Sequence, residues 1–147
     1  MKHQKKFLLS EQDLPTQWYN IQAEMPNKPM PPLNPKTHEP LTAEALSHIF
    51  NMECAKQELD QTHPWIDIPE EVQEKYAYYR ATPLVRAYAF EQAIGTRAHI
   101  YFKNESTNPL GSHKINSALP QCYYCKEEGD TKVTTETGGG QWGAARS

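Results

Sequence analysis

The sequence predicts an α/β fold, a parallel sheet with flanking helices. Three observations predict it. From Thr82 onward, short apolar runs of strand character alternate with helix-like segments. Both chemically informative motifs fall at strand-to-helix turns. All seven glycines lie at Gly95 or later, while seven of the twelve prolines fall between Pro15 and Pro40, so the chain changes character along its length. Parallel strands joined by right-handed crossovers place their chemistry beyond the carboxyl ends of the strands.

The elements follow in order. Residues 1–41 read as a proline-rich extended arm, because Met25-Pro26 and Pro29-Met30-Pro31-Pro32 lack donors and helical periodicity. Such an arm lies on a larger body, here 42–147. Thr42 suits a helix N-cap with Glu44 in the first turn, opening a helix over 42–59 with Leu46, Ile49 and Phe50 on one side. Pro69, Glu70 and Glu71 suit a second helix start, and Val72, Tyr76 and Tyr79 repeat as a buried stripe. An extended piece at 83–85, a helix over 87–94 and a strand at 99–102 follow. Ser112 is placed as N-cap of a helix over 113–128 that Gly129 closes, and Pro120 should kink it. A strand at 132–135 then leads into Gly138, Gly139 and Gly140 and one more helix start.

Bulk properties exclude several classes. Hydrophobic residues make up 37% and charged residues 22%. The mean hydropathy is −0.81, and no apolar run approaches the roughly 20 residues of a membrane span. The basic opening carries only Phe7 to Leu9 as apolar core, too short for a secretory signal, so the expected location is cytoplasmic. A net charge of −3 with 15 scattered basic residues argues against nucleic acid. Three cysteines in such a chain argue for free thiols rather than a disulfide framework.

The first motif is Asn108-Pro-Leu-Gly-Ser-His-Lys-Ile-Asn116, with Lys114 in the first helical turn. The positive end of a helix favours a neutral amine over an ammonium, the form that attacks a carbonyl. His113 and Ser112 beside it can donate to a phosphate. Taken alone, the stretch also fits a surface lysine near a helix start.

The second motif is Glu136-Thr-Gly-Gly-Gly-Gln-Trp-Gly143. Consecutive glycines let backbone N–H groups face an anion without side-chain clash. A carboxylate directly before such a nest repels that anion, so Glu136 makes better sense as an acid/base group acting on a bound substrate. A tight glycine turn with a solvated glutamate is the bland alternative.

Together these stretches make the chain recognisable. Thr82-Pro-Leu, Ile100-Tyr-Phe-Lys-Asn-Glu, Gly111-Ser-His-Lys-Ile-Asn, Tyr123-Tyr, Lys126-Glu-Glu-Gly and Thr135-Glu-Thr-Gly-Gly-Gly-Gln-Trp-Gly stand in the order and spacing of tryptophan synthase beta chains. The chain most resembles the second-type, beta-like branch, through its Pro-Pro-Leu-Asn-Pro arm, its Ile-Pro-Glu-Glu-Val helix start, and Trp142 where the familiar branch carries histidine. The resemblance runs from about Pro31 to Ser147.

The resemblance implies the beta-subunit-like fold called fold type II, incomplete here, and pyridoxal 5'-phosphate bound as a covalent aldimine on Lys114. It implies His113, Ser112 and Asn116 as further cofactor-binding residues and Glu136 as the acid/base residue. Thr137, Gly138, Gly139, Gly140 and Gln141 match the loop holding the substrate carboxylate. The implied reaction replaces the hydroxyl of L-serine by indole, in a homodimer with weak or no dependence on an alpha chain. The family's chains are more than twice this long, so these 147 residues alone are expected to be poorly active or inactive.

Other readings were weighed. Cys122-Tyr-Tyr-Cys125 has redox or zinc-like spacing but sits mid-helix without a second ligand pair. His38, His48, His63 and His99 share no spacing, so no metal is expected. Serine dehydratase, cysteine synthase and threonine synthase are the nearest rivals, and Glu136 argues against them. A non-catalytic, anion-binding remnant is the rival from another class.

Overall fold

The computed structural model describes residues 4–146, so the first three residues and Ser147, which ends the resemblance, lie outside the described residues. Its strands are β1 (Lys6–Phe7), β2 (Gln17–Tyr19), β3 (Trp65–Asp67), β4 (Leu84–Arg86) and β5 (Tyr101–Lys103). Its α-helices are α1 (Ala43–Leu46), α2 (Met52–Leu59), α3 (Glu70–Ala77), α4 (Tyr88–Ala93), α5 (Lys114–Glu127) and α6 (Gln141–Arg146). The α/β content is as predicted. The sheet is not: β1, β4 and β5 form one sheet in that order and β2 pairs β3 in another, and every ladder among the described residues is antiparallel.

The reason lies in the connection between β4 and β5. Arg86 pairs Tyr101, so the chain leaves and re-enters the sheet at the same edge. Helix α4 carries it out, and Gly95, at φ +63°, lets it turn back. A parallel return would have to cross to the far end of β4. Glu91 locks this excursion, accepting from the Arg86 guanidinium at 3.0 Å and from the Ile100 N–H at 2.7 Å. The predicted strand at 132–135 is also absent. That segment carries no regular structure and is exposed, with no neighbouring strand to take its peptide groups.

The predicted helix over 42–59 is two helices. Asn51, which is buried, caps α2 by accepting from the Cys54 N–H at 2.8 Å, and this cap ends the first segment. Leu46 is buried, but Ile49 and Phe50 are exposed rather than on its face. Helix α3 begins at Glu70, with Pro69 one position earlier than expected.

Ile68, Val72 and Tyr76 form the buried core, joined by Trp18, Tyr79, Leu119 and Tyr123. The stripe predicted on α3 is therefore packed against α5. Trp18 comes from the arm, which is held by the β2–β3 ladder and by Asn20, whose amide donates to the carbonyls of Asp60 at 2.7 Å and His63 at 3.1 Å.

Helix α5 runs through Pro120. Pro120 has no N–H to give the Asn116 carbonyl four residues earlier. The Tyr76 hydroxyl donates to that carbonyl instead, at 2.5 Å. The core tyrosine thus takes the place of the missing helical bond. Gly129, at φ +85°, closes α5 as predicted, with the Asp130 N–H reaching the Cys125 carbonyl at 2.9 Å.

Candidate active site

Helix α5 starts after a turn built by Asn108. This buried side chain donates to the Ser112 carbonyl at 2.8 Å and accepts from the N–H groups of Leu110 and Ser112 at 3.0 and 3.3 Å. Gly111, at φ +59°, completes the turn. His113, not Ser112, occupies the cap position, and its side chain makes no capping bond. Ser112 keeps a capping role one residue early: its Oγ accepts from the Lys114 N–H at 3.3 Å. Lys114 is half-buried, and its Nζ stands 5.9 Å from the centre of the Trp142 ring. Among the described residues that nitrogen has no ion pair or hydrogen bond.

The second motif comes to the same end of the molecule. Lys114 meets Trp142 near the starts of α5 and α6, and Arg146 donates to Gln121 one turn or more further along. The two helices therefore run side by side in the same direction, with both first turns together. Glu136 and Thr137, Gly138, Gly139, Gly140 and Gln141 are all exposed, and a side chain built at Gly138 or Gly139 would meet nothing within 4 Å. The backbone there is open to a ligand. The Glu136 carboxylate has no partner among the described residues.

Asn116 faces another way. Its Oδ1 accepts from the Tyr79 hydroxyl at 2.8 Å and its Nδ2 donates to Glu105 at 3.1 Å. Glu105 also accepts from Asn108 at 3.2 Å and from the buried Thr82 hydroxyl at 2.7 Å. Burial pushes the Glu105 carboxyl up, but these three bonds and the nearby Arg80 outweigh it and hold it below the ordinary range. Glu105 lies within a stretch that carries the resemblance. Its link to Asn116 lies across a turn between two separate elements, so no period within one element signals it.

The cysteines are free, and burial pushes the Cys54 and Cys122 thiols up, away from the thiolate that redox or metal chemistry needs. Among the described residues no cluster of histidine, cysteine and carboxylate suits a metal. A cavity of about 260 Å³, lined by His48, Cys54, Lys132 and Arg146 among others, includes neither Lys114 nor Glu136.

Residues 76–147 match the family model described as pyridoxal-phosphate dependent enzyme, which defines the class. The chain is 48% identical to the tryptophan synthase beta chain of Thermosipho africanus over 139 residues, 95% of this chain and 33% of that protein. It is 50% identical to the tryptophan synthase beta chain 2 of Aquifex aeolicus over 143 residues, 97% of this chain and 33% of that protein. The beta chain 2 of Thermotoga maritima is 48% identical over 139 residues, again 95% of this chain and 33% of that protein. The chain is thus similar to tryptophan synthase beta chains along nearly its whole length, and it spans about a third of the length of the curated relatives it matches.

The residues present fit the cofactor of that class. An unpaired lysine nitrogen suits an aldehyde, and the Ser112 hydroxyl and His113 imidazole beside it are donor types suited to a phosphate. The open glycine backbone suits a carboxylate.

Proposed function

We propose that these residues supply part of the active site of a pyridoxal-phosphate dependent enzyme, second-type branch, that replaces the hydroxyl of L-serine by indole to give L-tryptophan. The single observation that carries this reading is the shared end of α5 and α6, where the unpaired Lys114 nitrogen and the open glycine turn face the same region. Lys114 would hold the cofactor covalently, with Ser112 and His113 assigned to its surroundings; Asn116, expected from the sequence among the cofactor-binding residues, is instead turned to Glu105 and Tyr79 on the other side of the helix. When bound, the cofactor supplies an electron sink that stabilises negative charge at the substrate α-carbon. Lys114 Nζ takes the α-proton and later returns it. Glu136 gives a proton to the departing serine hydroxyl and offsets charge at the indole nitrogen. The N–H groups of 137–141 hold the amino-acid carboxylate.

The same reading assigns 1–41 as an arm and 42–147 as part of a catalytic region of fold type II. It makes the protein cytoplasmic and homodimeric, with little or no dependence on an alpha chain. Among the described residues no helix is long and apolar enough to cross a membrane.

Reduction with borohydride in the presence of pyridoxal phosphate, followed by peptide mapping, tests this. The adduct is expected on Lys114 of the full-length protein and is lost in Lys114→Ala. Labelling spread evenly over surface lysines such as Lys36 would refute the assignment.

A further inference from the structure

Glu105 is the point where three separate parts of the chain meet. Its Oε1 accepts from Thr82, at the entry to β4, while its Oε2 accepts from Asn108, in the turn before α5, and from Asn116, in the first turn of α5. Both bonded asparagines lead to Lys114 by short paths. Asn108 holds the Ser112 peptide group at both its carbonyl and its N–H, and Ser112 Oγ holds the Lys114 N–H. Asn116 lies two residues after Lys114 on the helix, about 200° around the axis.

That angle matters. With the Asn116 side chain fixed inward by Glu105 and Tyr79, and its carbonyl held by Tyr76, the helix cannot roll about its axis at this turn. Lys114 is then directed to the opposite side, where Trp142 in the first turn of α6 stands. Rotation by one residue step, 100°, would carry the lysine nitrogen out of that region altogether.

We propose that Glu105 is a positioning residue for Lys114: by holding Asn108 and Asn116 at one carboxylate oxygen, it fixes both the entry and the roll of α5 and so the direction of the lysine side chain. The inference rests on the functional reading above in taking Lys114 as the reacting lysine. Glu105 touches neither substrate nor cofactor in this scheme.

The geometry distinguishes shape from charge. In Glu105→Gln the amide oxygen can still accept from both asparagines, and the amide nitrogen can donate to the Thr82 hydroxyl, which turns to accept. In Glu105→Ala all three bonds are lost.

The test uses the full-length protein and two readouts. The first is the rate at which pyridoxal phosphate and borohydride label Lys114, with Lys36 as an exposed control. The second, which needs no cofactor, is hydrogen–deuterium exchange of the 112–116 backbone. Glu105→Ala is expected to slow Lys114 labelling by on the order of tenfold, as misplacement by an ångström or so can, and to speed exchange at 112–116. Lys36 labelling stays unchanged. Glu105→Gln is expected to stay within about threefold of the parent in both readouts.

If Glu105→Ala does not fold, Tyr79→Phe decides: it loosens the same asparagine while keeping the ring, and faster exchange at 112–116 is expected. The proposal is overturned if a folded Glu105→Ala, or Tyr79→Phe in its place, matches the parent in exchange, or if Glu105→Gln falls as far as Glu105→Ala. Absence of a Lys114 adduct in the parent would sink the functional reading alone, because the exchange comparison still decides the positioning role.

Discussion

Tyr76 and Pro120 form a pair that can be tested as one. The Asn116 carbonyl has no helical donor because residue 120 is proline, and the Tyr76 hydroxyl fills that place from the core. Tyr76→Phe should cost about 1–3 kcal/mol of unfolding free energy, the penalty for leaving a half-buried carbonyl unpaired. In a Pro120→Ala background the new N–H serves the carbonyl, and the same change should cost about 1 kcal/mol less. Denaturant titration of the four variants gives this coupling, and additivity within about 0.3 kcal/mol would show that the two groups do not share the carbonyl. Sequence reading reached each residue separately: Tyr76 as core from its stripe, Pro120 as a kink without purpose. The connection needs α3 packed on α5, with Tyr76 bonded to a carbonyl 40 positions away, which no local pattern contains.

Elements show the same division between what is local and what is not. The starts of α3, α5 and α6, to within a residue or so, and the Gly129 stop of α5 were legible because caps and glycine stops act over three or four residues. The break between α1 and α2 was missed, since both its sides favour helix and the Asn51 cap that makes it is reinforced by a distant group. The Glu128 carboxylate, beyond the end of α5, accepts from the N–H groups of Met52 and Glu53 at 2.8 and 2.9 Å, and so completes the start of α2 that Asn51 caps. The Asn51 amide in turn donates to the Gln121 carbonyl at 3.1 Å. Glu128→Ala should lower stability by about 1 kcal/mol, the ordinary worth of a helix-start acceptor. Exchange at the amides of 52 and 53 should rise with it. A loss under about 0.3 kcal/mol with unchanged exchange would mean that water replaces the carboxylate freely. Strand pairing was the least legible element feature, because direction depends on where a connection re-enters the sheet. The excursion held by Glu91 reverses the direction that strand and helix alternation alone suggested.

Across the whole molecule, the arm is tied to the body by strand pairing and the Asn20 amide, and one of its aromatic residues reaches the core. Composition marked 1–41 as an extended arm, and its described residues carry β1, β2, two 3-10 turns and an isolated bridge. Composition could not show that Trp18, the middle residue of β2 opposite Ile66, packs against the Ile68, Val72 and Tyr76 core on which α5 also rests. The arm is thus part of the support beneath the first turn of α5, through Tyr76 and Asn116, rather than a wrapper laid over a finished body. Trp18→Ala should therefore cost about 2 kcal/mol, less than a fully buried tryptophan because this ring is only half-buried. It should also speed exchange at 112–116, a region that Trp18 itself does not hydrogen-bond. Trp18→Phe, which refills much of the space, should recover most of both effects. If the stability loss appears while exchange at 112–116 stays at the parent rate, the arm stabilises the core without supporting the lysine, and the path from Trp18 through Tyr76 to Asn116 carries no coupling.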